Sequence, residues 1–273
     1  MSFWVKLLEF LETKGETPTM YGAFHIVFIV LVALATFLLC KFFGSSSERT
    51  YRRIVLIGWI AMVVLEVYKQ IIYAVSFENG AFVWDYEWYA FPYQLCSTPL
   101  YVMPFAALLK NGRVRDAAMA YLATFSFFGG LVVFIYPGDV FVSTIGISAQ
   151  SMIHHGMQIV IGIYTAFYNR KRFNFGFFLH AVPAFAALCA AALIMNIGVY
   201  HAFAASGIED TFNMFYISPY FPCTLPLLGD VIWPNVPYAA FLVIYILGFC
   251  IAAYVLYIIQ YGLMRLGGNR VKS

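Results

Sequence analysis

The sequence predicts an all-α, polytopic membrane protein with seven transmembrane helices, and three observations predict it. Hydrophobic residues make up 63% of the 273 positions and charged residues 11%. A soluble domain carries about 25% charged residues, so most of this chain has to be solvated by lipid. The apolar residues fall into seven runs, each near the ~20 residues that a spanning helix needs. The basic residues collect in alternate connections between those runs. No internal repeat is evident, so one seven-helix domain over residues 1–273 is the simplest organisation.

Taken in order, the first 19 residues precede the runs. Phe3, Trp4, Leu7, Leu8, Phe10 and Leu11 alternate with Lys6, Glu9 and Glu12 at helical spacing, which describes an amphipathic helix lying on the outer membrane surface. With Glu9, Glu12 and Glu16 and no small-residue cleavage site, this segment is not expected to be a cleavable signal peptide. The runs then cover 21–43, 54–75, 91–109, 117–136, 148–168, 176–198 and 238–264. Lys41, Arg49, Arg52 and Arg53 follow the first run, Lys110, Arg113 and Arg115 the third, Arg170, Lys171 and Arg172 the fifth, and Arg265, Arg270 and Lys272 the last. Those are thirteen of the 16 basic residues, and the positive-inside rule puts their side in the cytoplasm and the N-terminus outside. The outer segment 199–237, rich in proline and aromatic residues, reads as a folded cap at the interface.

Polar residues inside the runs gather at one depth. Cys96, His154, His155, Lys69, Gln70, His25 and Asn196 all fall within about two helical turns of the outer end. In hydrocarbon such groups have to face a protein interior or a water-filled cavity, which points to a built site. On the second run Glu66, Lys69, Gln70 and Tyr73 stand at i, i+3, i+4 and i+7, one stripe that has to look inward. Two readings of it stand: a structural ion pair between Glu66 and Lys69, or a lysine that lends positive potential to a thiolate or oxyanion.

The third run reads Phe91-Pro92-Tyr93-Gln94-Leu95-Cys96-Ser97-Thr98-Pro99. Pro99 cannot donate to the carbonyl of Leu95, nor Pro104 to that of Leu100, so a helix kinked near Cys96 is expected. On the fifth run Gln150, His154 and Gln158 repeat every four residues, with Ser151 and His155 on the adjoining strip. That makes an imidazole base for the Cys96 thiol geometrically available. Adjacent histidines point about 100° apart on a helix and do not readily share a metal, so neither metal nor cofactor is expected. Cys40, Cys189 and Cys250 lack polar neighbours and read as packing residues, Cys223 lies in the cap, and no spacing indicates a disulfide framework or zinc site.

Leu95-Cys96, His155-Gly156 with the later Gly162-Ile163-Tyr164, and Asn213-Met214-Phe215-Tyr216 before Trp233-Pro234 carry a family resemblance. The chain resembles the YwaF-like bacterial membrane proteins over roughly residues 20 to 265. These are similar to eukaryotic transmembrane protein 164 and, more distantly, to the androgen-induced gene family of fatty-acid ester hydrolases. The resemblance implies seven helices in a bacterial cytoplasmic membrane and acyl chemistry on lipids, with Cys96 as nucleophile and His155 as its partner. Many bacterial members carry a histidine two positions before the cysteine; Gln94 stands there in this chain.

The expected mechanism has His155, or else His154, take the proton of Cys96, whose thiolate attacks a phospholipid ester entering from the outer leaflet. Lys69, Gln94 or Thr98 would stabilise the oxyanion, and Gln70, Gln150 and Asn213 complete the expected substrate-facing set. The acyl thioester would pass to a lysophospholipid or to water, making the protein an acyltransferase or a lipase. Its partners would be membrane lipids, with no nucleic acid. The alternative is a transporter or receptor that uses the polar layer only for binding. A Cys96 sulfur hydrogen-bonded to an imidazole would favour catalysis, and a cavity without that pair would favour binding.

Overall fold

A computed structural model of the chain describes residues 3–78 and 81–269. Arg270 and Lys272, counted above with the basic connections, lie outside the described residues. The fold is mostly helical. Helix α1 (Phe3–Leu11) is followed by α2 (Ala23–Phe43) and α3 (Glu48–Ile72), then by an antiparallel hairpin of β1 (Val75–Glu78) and β2 (Ala81–Trp84). The remaining helices are α4 (Pro99–Leu108), α5 (Arg113–Tyr121), α6 (Phe127–Ile135), α7 (Ile145–Tyr168), α8 (Phe175–Ser206) and α9 (Tyr238–Asn269). One π turn, Leu122–Ser126, joins α5 and α6 into a continuous rod.

Five of these elements are long and apolar enough to cross a membrane by length and composition: α2, α3, the α5–α6 rod, α8 and α9. The other two expected segments depart from a plain span for different reasons. In the third, the helix begins only at Pro99, so 91–109 is not one kinked helix but an irregular stretch leading into ten helical residues. At 1.5 Å per residue those ten cover about 15 Å, half of a hydrocarbon core. The fifth, α7, is 24 residues long, but its first half is polar. It packs against α2, α3, α6 and α9 and buries most of its residues, so it is solvated by protein rather than lipid. Small residues permit this packing: a Cβ at Gly130 would come within 2.7 Å of the His155 carbonyl, and one at Gly162 within 2.8 Å of Phe127 Cβ.

The basic connections meet at one end of the bundle. Arg170 donates to the carbonyl of Gly44 at 2.6 Å and to Ser45 Oγ at 2.6 Å, while Arg115 pairs with Glu48 at 3.0 Å and Arg172 with Asp116. Helix α8 continues to Ser206, eight residues beyond the expected end of its apolar run, so the cap covers 207–237. The cap sits at the opposite end, joined to α8 by Asn196, whose amide and carbonyl both bond Met214 backbone at 3.0 and 2.7 Å. Helix α1 lies at that same end, with the Tyr68 hydroxyl donating to the Leu11 carbonyl at 2.8 Å and Phe3, Trp4 and Phe10 left exposed.

Candidate functional site

The site starts from a backbone that proline prevents from being helical. Pro99 opens α4 at its first turn, where a missing N–H costs nothing, and it cannot donate to the Leu95 carbonyl, while the Cys96 carbonyl lies before the helix begins. The Leu95 carbonyl is taken by the Thr98 backbone N–H and by Thr98 Oγ1 at 2.6 Å. The Cys96 carbonyl accepts from two side chains of α7, His154 Nε2 at 2.9 Å and Gln158 Nε2 at 2.8 Å. Non-helical backbone at this depth is tolerable because neighbouring helices satisfy it. Five residues after Pro99, Pro104 frees the Leu100 carbonyl as the sequence predicts, and Trp59 Nε1 donates to it at 2.8 Å.

Beside Cys96 lies a cavity of about 160 Å³ between α3, the 88–97 stretch, the 138–142 connection and α7. Glu66, Lys69, Cys96, Gln150, His154 and His155 all line it, as do Ser151 and Tyr73. A space this small admits an ester group or a few waters, whereas whole-ligand pockets run to about 300–1,000 Å³. On its α3 wall Lys69 Nζ lies 2.8 Å from Glu66 Oε1, and the same oxygen accepts from Gln70 Nε2 at 2.7 Å. Gln70 is itself held by the Ala90 carbonyl at 2.8 Å and by the Tyr86 hydroxyl at 2.6 Å, so it braces Glu66 from outside the cavity.

The imidazoles differ in what they leave free. A carbonyl oxygen can only accept, so His154 carries its proton on Nε2 and His155 carries its proton on Nδ1, 2.7 Å from the Ser151 carbonyl. Each neutral ring is left with one lone pair, on Nδ1 of His154 and Nε2 of His155. Among the described residues both atoms are buried without a hydrogen-bond partner, and so is Glu66 Oε2. Three cavity-lining residues therefore hold an unpaired acceptor, an arrangement that costs about 1–3 kcal/mol per atom unless a donor enters. Among the described residues neither imidazole is hydrogen-bonded to Cys96 Sγ. His154 holds the backbone of Cys96 in place of its thiol.

Gln94 lines the same cavity, but both ends of its amide are engaged, and the remaining expected residues lie elsewhere. Gln94 donates to the Asn213 carbonyl at 3.0 Å and accepts from the Phe215 N–H at 2.8 Å, so both ends of its amide tie the cap down. Asn213 bonds the Pro222 carbonyl and the Ser218 N–H, organising the cap's own turn. Thr98 Oγ1, besides its local bond, meets the Tyr121 hydroxyl at 2.7 Å in the core. His25 accepts from the Tyr21 N–H and donates to the Phe134 carbonyl at 3.0 Å, closing α2 onto α6. Conversely, the cavity includes Ser97, Tyr89 and Asp139, which the sequence reading does not single out. Ser97 was legible from its neighbour; Tyr89 and Asp139 sit in connections whose path no periodicity fixes.

A family model described as the TMEM164 family matches residues 20–261, and the chain belongs to that family. No curated protein and no solved structure matches it. The family and the apolar helices together make this a multi-pass membrane protein.

Proposed function

We propose that this member of the TMEM164 family is a membrane-embedded lipid acyltransferase or acyl-ester hydrolase that carries its acyl group as a thioester on Cys96. The observation that carries the reading is the cavity itself: it joins the Cys96 residue, the Lys69 cation and the unpaired Nε2 of His155. A thiol, an unpaired basic nitrogen and a fixed positive charge form the set that nucleophilic acyl transfer requires. The chain crosses the membrane seven times, α4 completing its pass with the irregular stretch before it. The basic end lies in the cytoplasm and the cavity beneath the outer leaflet. The small volume takes in the ester group and leaves the acyl chains in the bilayer.

In the first half-reaction His155 Nε2 accepts the Cys96 proton through a water or by closing of the pair on substrate binding, as resting enzymes often hold such groups apart. The thiolate forms a C–S bond at the ester carbonyl, and Lys69 faces the oxyanion. Collapse breaks the C–O bond, and the departing lysolipid oxygen takes the proton back from His155. In the second half an acceptor hydroxyl, from a lysophospholipid or from water, gives its proton to His155 and attacks the thioester. The Cys96 thiolate leaves and is reprotonated. His154 and Gln158 act as positioning residues by gripping the Cys96 carbonyl.

One observation favours a second reading, a binding or transport site without catalysis: the thiol has no imidazole partner. Intact-protein mass spectrometry separates the two. Incubation with phospholipid and no acceptor is expected to add an acyl mass that hydroxylamine removes and that Cys96→Ala never acquires. Absence of the acyl adduct and of lipid turnover from the wild-type protein would leave the binding reading in place of the catalytic one, and wild-type turnover by Cys96→Ala would remove Cys96 from the chemistry.

A further inference from the structure

At the basic end of the bundle, away from Cys96, the connections after α2, α4 and α7 enclose a second cavity of about 580 Å³. Arg115, Arg170, Lys171 and Arg172 line it, along with the carboxylates of Glu48 and Asp116. Those carboxylates are already engaged. Glu48 Oε1 takes Arg52 at 2.8 Å and Arg115 at 3.0 Å, and Asp116 takes Arg172. Four cations against two paired anions leave the cavity net positive.

Two of the cations are not fully used. Arg115 is 4% exposed; its Nε donates to the Ala106 carbonyl at 3.0 Å and its Nη1 to Glu48, yet Nη2 is buried with no hydrogen-bond partner among the described residues. A guanidinium N–H left unmade in a buried position is costly, and a charge-assisted bond to an oxyanion is the strongest remedy. Lys171 is exposed at the rim and takes no ion pair among the described residues. Arg170 is fixed by Gly44 and Ser45, so the frame around the cavity is ordered before any ligand arrives. The planar fork of arginine matches phosphate geometry, and the volume lies in the range of small-molecule sites.

We infer that this cavity binds a phosphate-bearing anion, with Arg115 at its floor and Lys171 at its rim. The ligand can come from the bilayer as an anionic headgroup or from solution as a free phosphate compound, and the inference is independent of the chemistry at Cys96. The test uses the full-length protein in nanodiscs of zwitterionic lipid, titrated with pyrophosphate at low ionic strength and followed by thermal unfolding. A parallel set of nanodiscs contains added phosphatidylglycerol. A rise in melting temperature with pyrophosphate identifies a soluble source, and a rise with phosphatidylglycerol alone identifies a headgroup. In either arm Lys171→Gln is expected to weaken the effect at least tenfold in ligand concentration, about the worth of one charged hydrogen bond, and Arg115→Lys to abolish it. Absence of any rise in both arms, or an equal rise in Lys171→Gln, would overturn the assignment. Because Lys171 pairs with no carboxylate among the described residues, its variant decides the matter even where Arg115→Lys does not fold.

Discussion

Breaking the Glu66–Lys69 pair is the perturbation whose size the structure sets most directly. The two side chains are 9% and 18% exposed and lie 2.8 Å apart. Glu66→Gln leaves the Lys69 ammonium without its counter-charge beside a cavity, and Lys69→Met leaves a carboxylate whose Oε2 already lacks a partner. Removing one member of a buried pair costs about 3–5 kcal/mol, and partial exposure of Lys69 argues for the lower end, about 3 kcal/mol. At roughly 2–4 °C per kcal/mol for a chain of this order, each single variant should melt roughly 6–12 °C below wild type. The double variant removes both charges and should recover roughly 2 kcal/mol of that loss through their coupling. Thermal unfolding in nanodiscs reads all four proteins. Single variants within about 0.5 kcal/mol of wild type would refute the reasoning, because a pair that can be broken for so little is a solvated surface pair. The same double variant also separates the two roles of Lys69: full acyl turnover confines the pair to structure, while a folded, inactive double variant assigns Lys69 to the oxyanion.

His155→Ala should slow both acylation and deacylation by at least about a hundredfold, measured as acyl-enzyme formation and lipid turnover, since it removes the only lone pair assigned as base. His154→Ala should cost less in activity, because Gln158 still donates to the Cys96 carbonyl at 2.8 Å; His154→Gln, which can restore the second donor, should regain most of the lost rate. Trp59→Phe should destabilise by about 1–2 kcal/mol without altering the acyl-enzyme mass, because it strands the Leu100 carbonyl that Pro104 leaves free. Single cysteines at Asn235 should react with an impermeant thiol reagent in intact cells, and those at Gly112 and Asn174 should stay protected; the reverse labelling would remove the outer-leaflet entry of substrate.

Much of the fold was legible because lipid solvation is a crude, one-dimensional constraint. Val67 and Ile71 are exposed and Glu66 is buried, as the stripe on the second run requires. Length and composition say less about the internal structure of the third and fifth segments. Residues 91–109 are apolar enough to span, but a count of apolar residues does not register that Pro92 and Pro99 remove the donors a helix needs. Helix α7 reads as a span with a polar flaw, whereas burial on nearly all sides makes its polarity unremarkable. At the site, helical periodicity brought Glu66, Lys69, Gln150, His154 and His155 to one level. It could not separate Thr98 from them, because the partner that occupies it, Tyr121, is distant in sequence, nor show that Gln94, on the cavity wall, spends its amide on the cap.

The feature that sorts the polar layer is which carbonyls the chain leaves without helical donors. Pro104 frees Leu100, and Trp59 answers it; the irregular stretch before Pro99 frees Cys96, and His154 and Gln158 answer it; within the π turn the Ala123 carbonyl is met by Gln260 Nε2 at 3.2 Å. A polar side chain in a membrane helix is thus first accounted for by the backbone group it caps. His25, Asn196 and Gln94 are exhausted by that accounting, each with both polar ends bound. His155 is not, since its Nδ1 proton goes to Ser151 and its Nε2 faces no donor among the described residues; nor are His154, Glu66, Gln158 and Gln260, each with one buried acceptor left unpartnered. Structural need explains the first group and leaves a remainder in the second. Within that remainder the unpartnered acceptors of His154, His155 and Glu66 belong to residues lining one cavity beside Cys96, and they call for an occupant that brings donor hydrogens: a thiol, a hydroxyl or water. An S–H and then an O–H presented in turn to one unpaired imidazole nitrogen are the two proton donors of a thioester cycle.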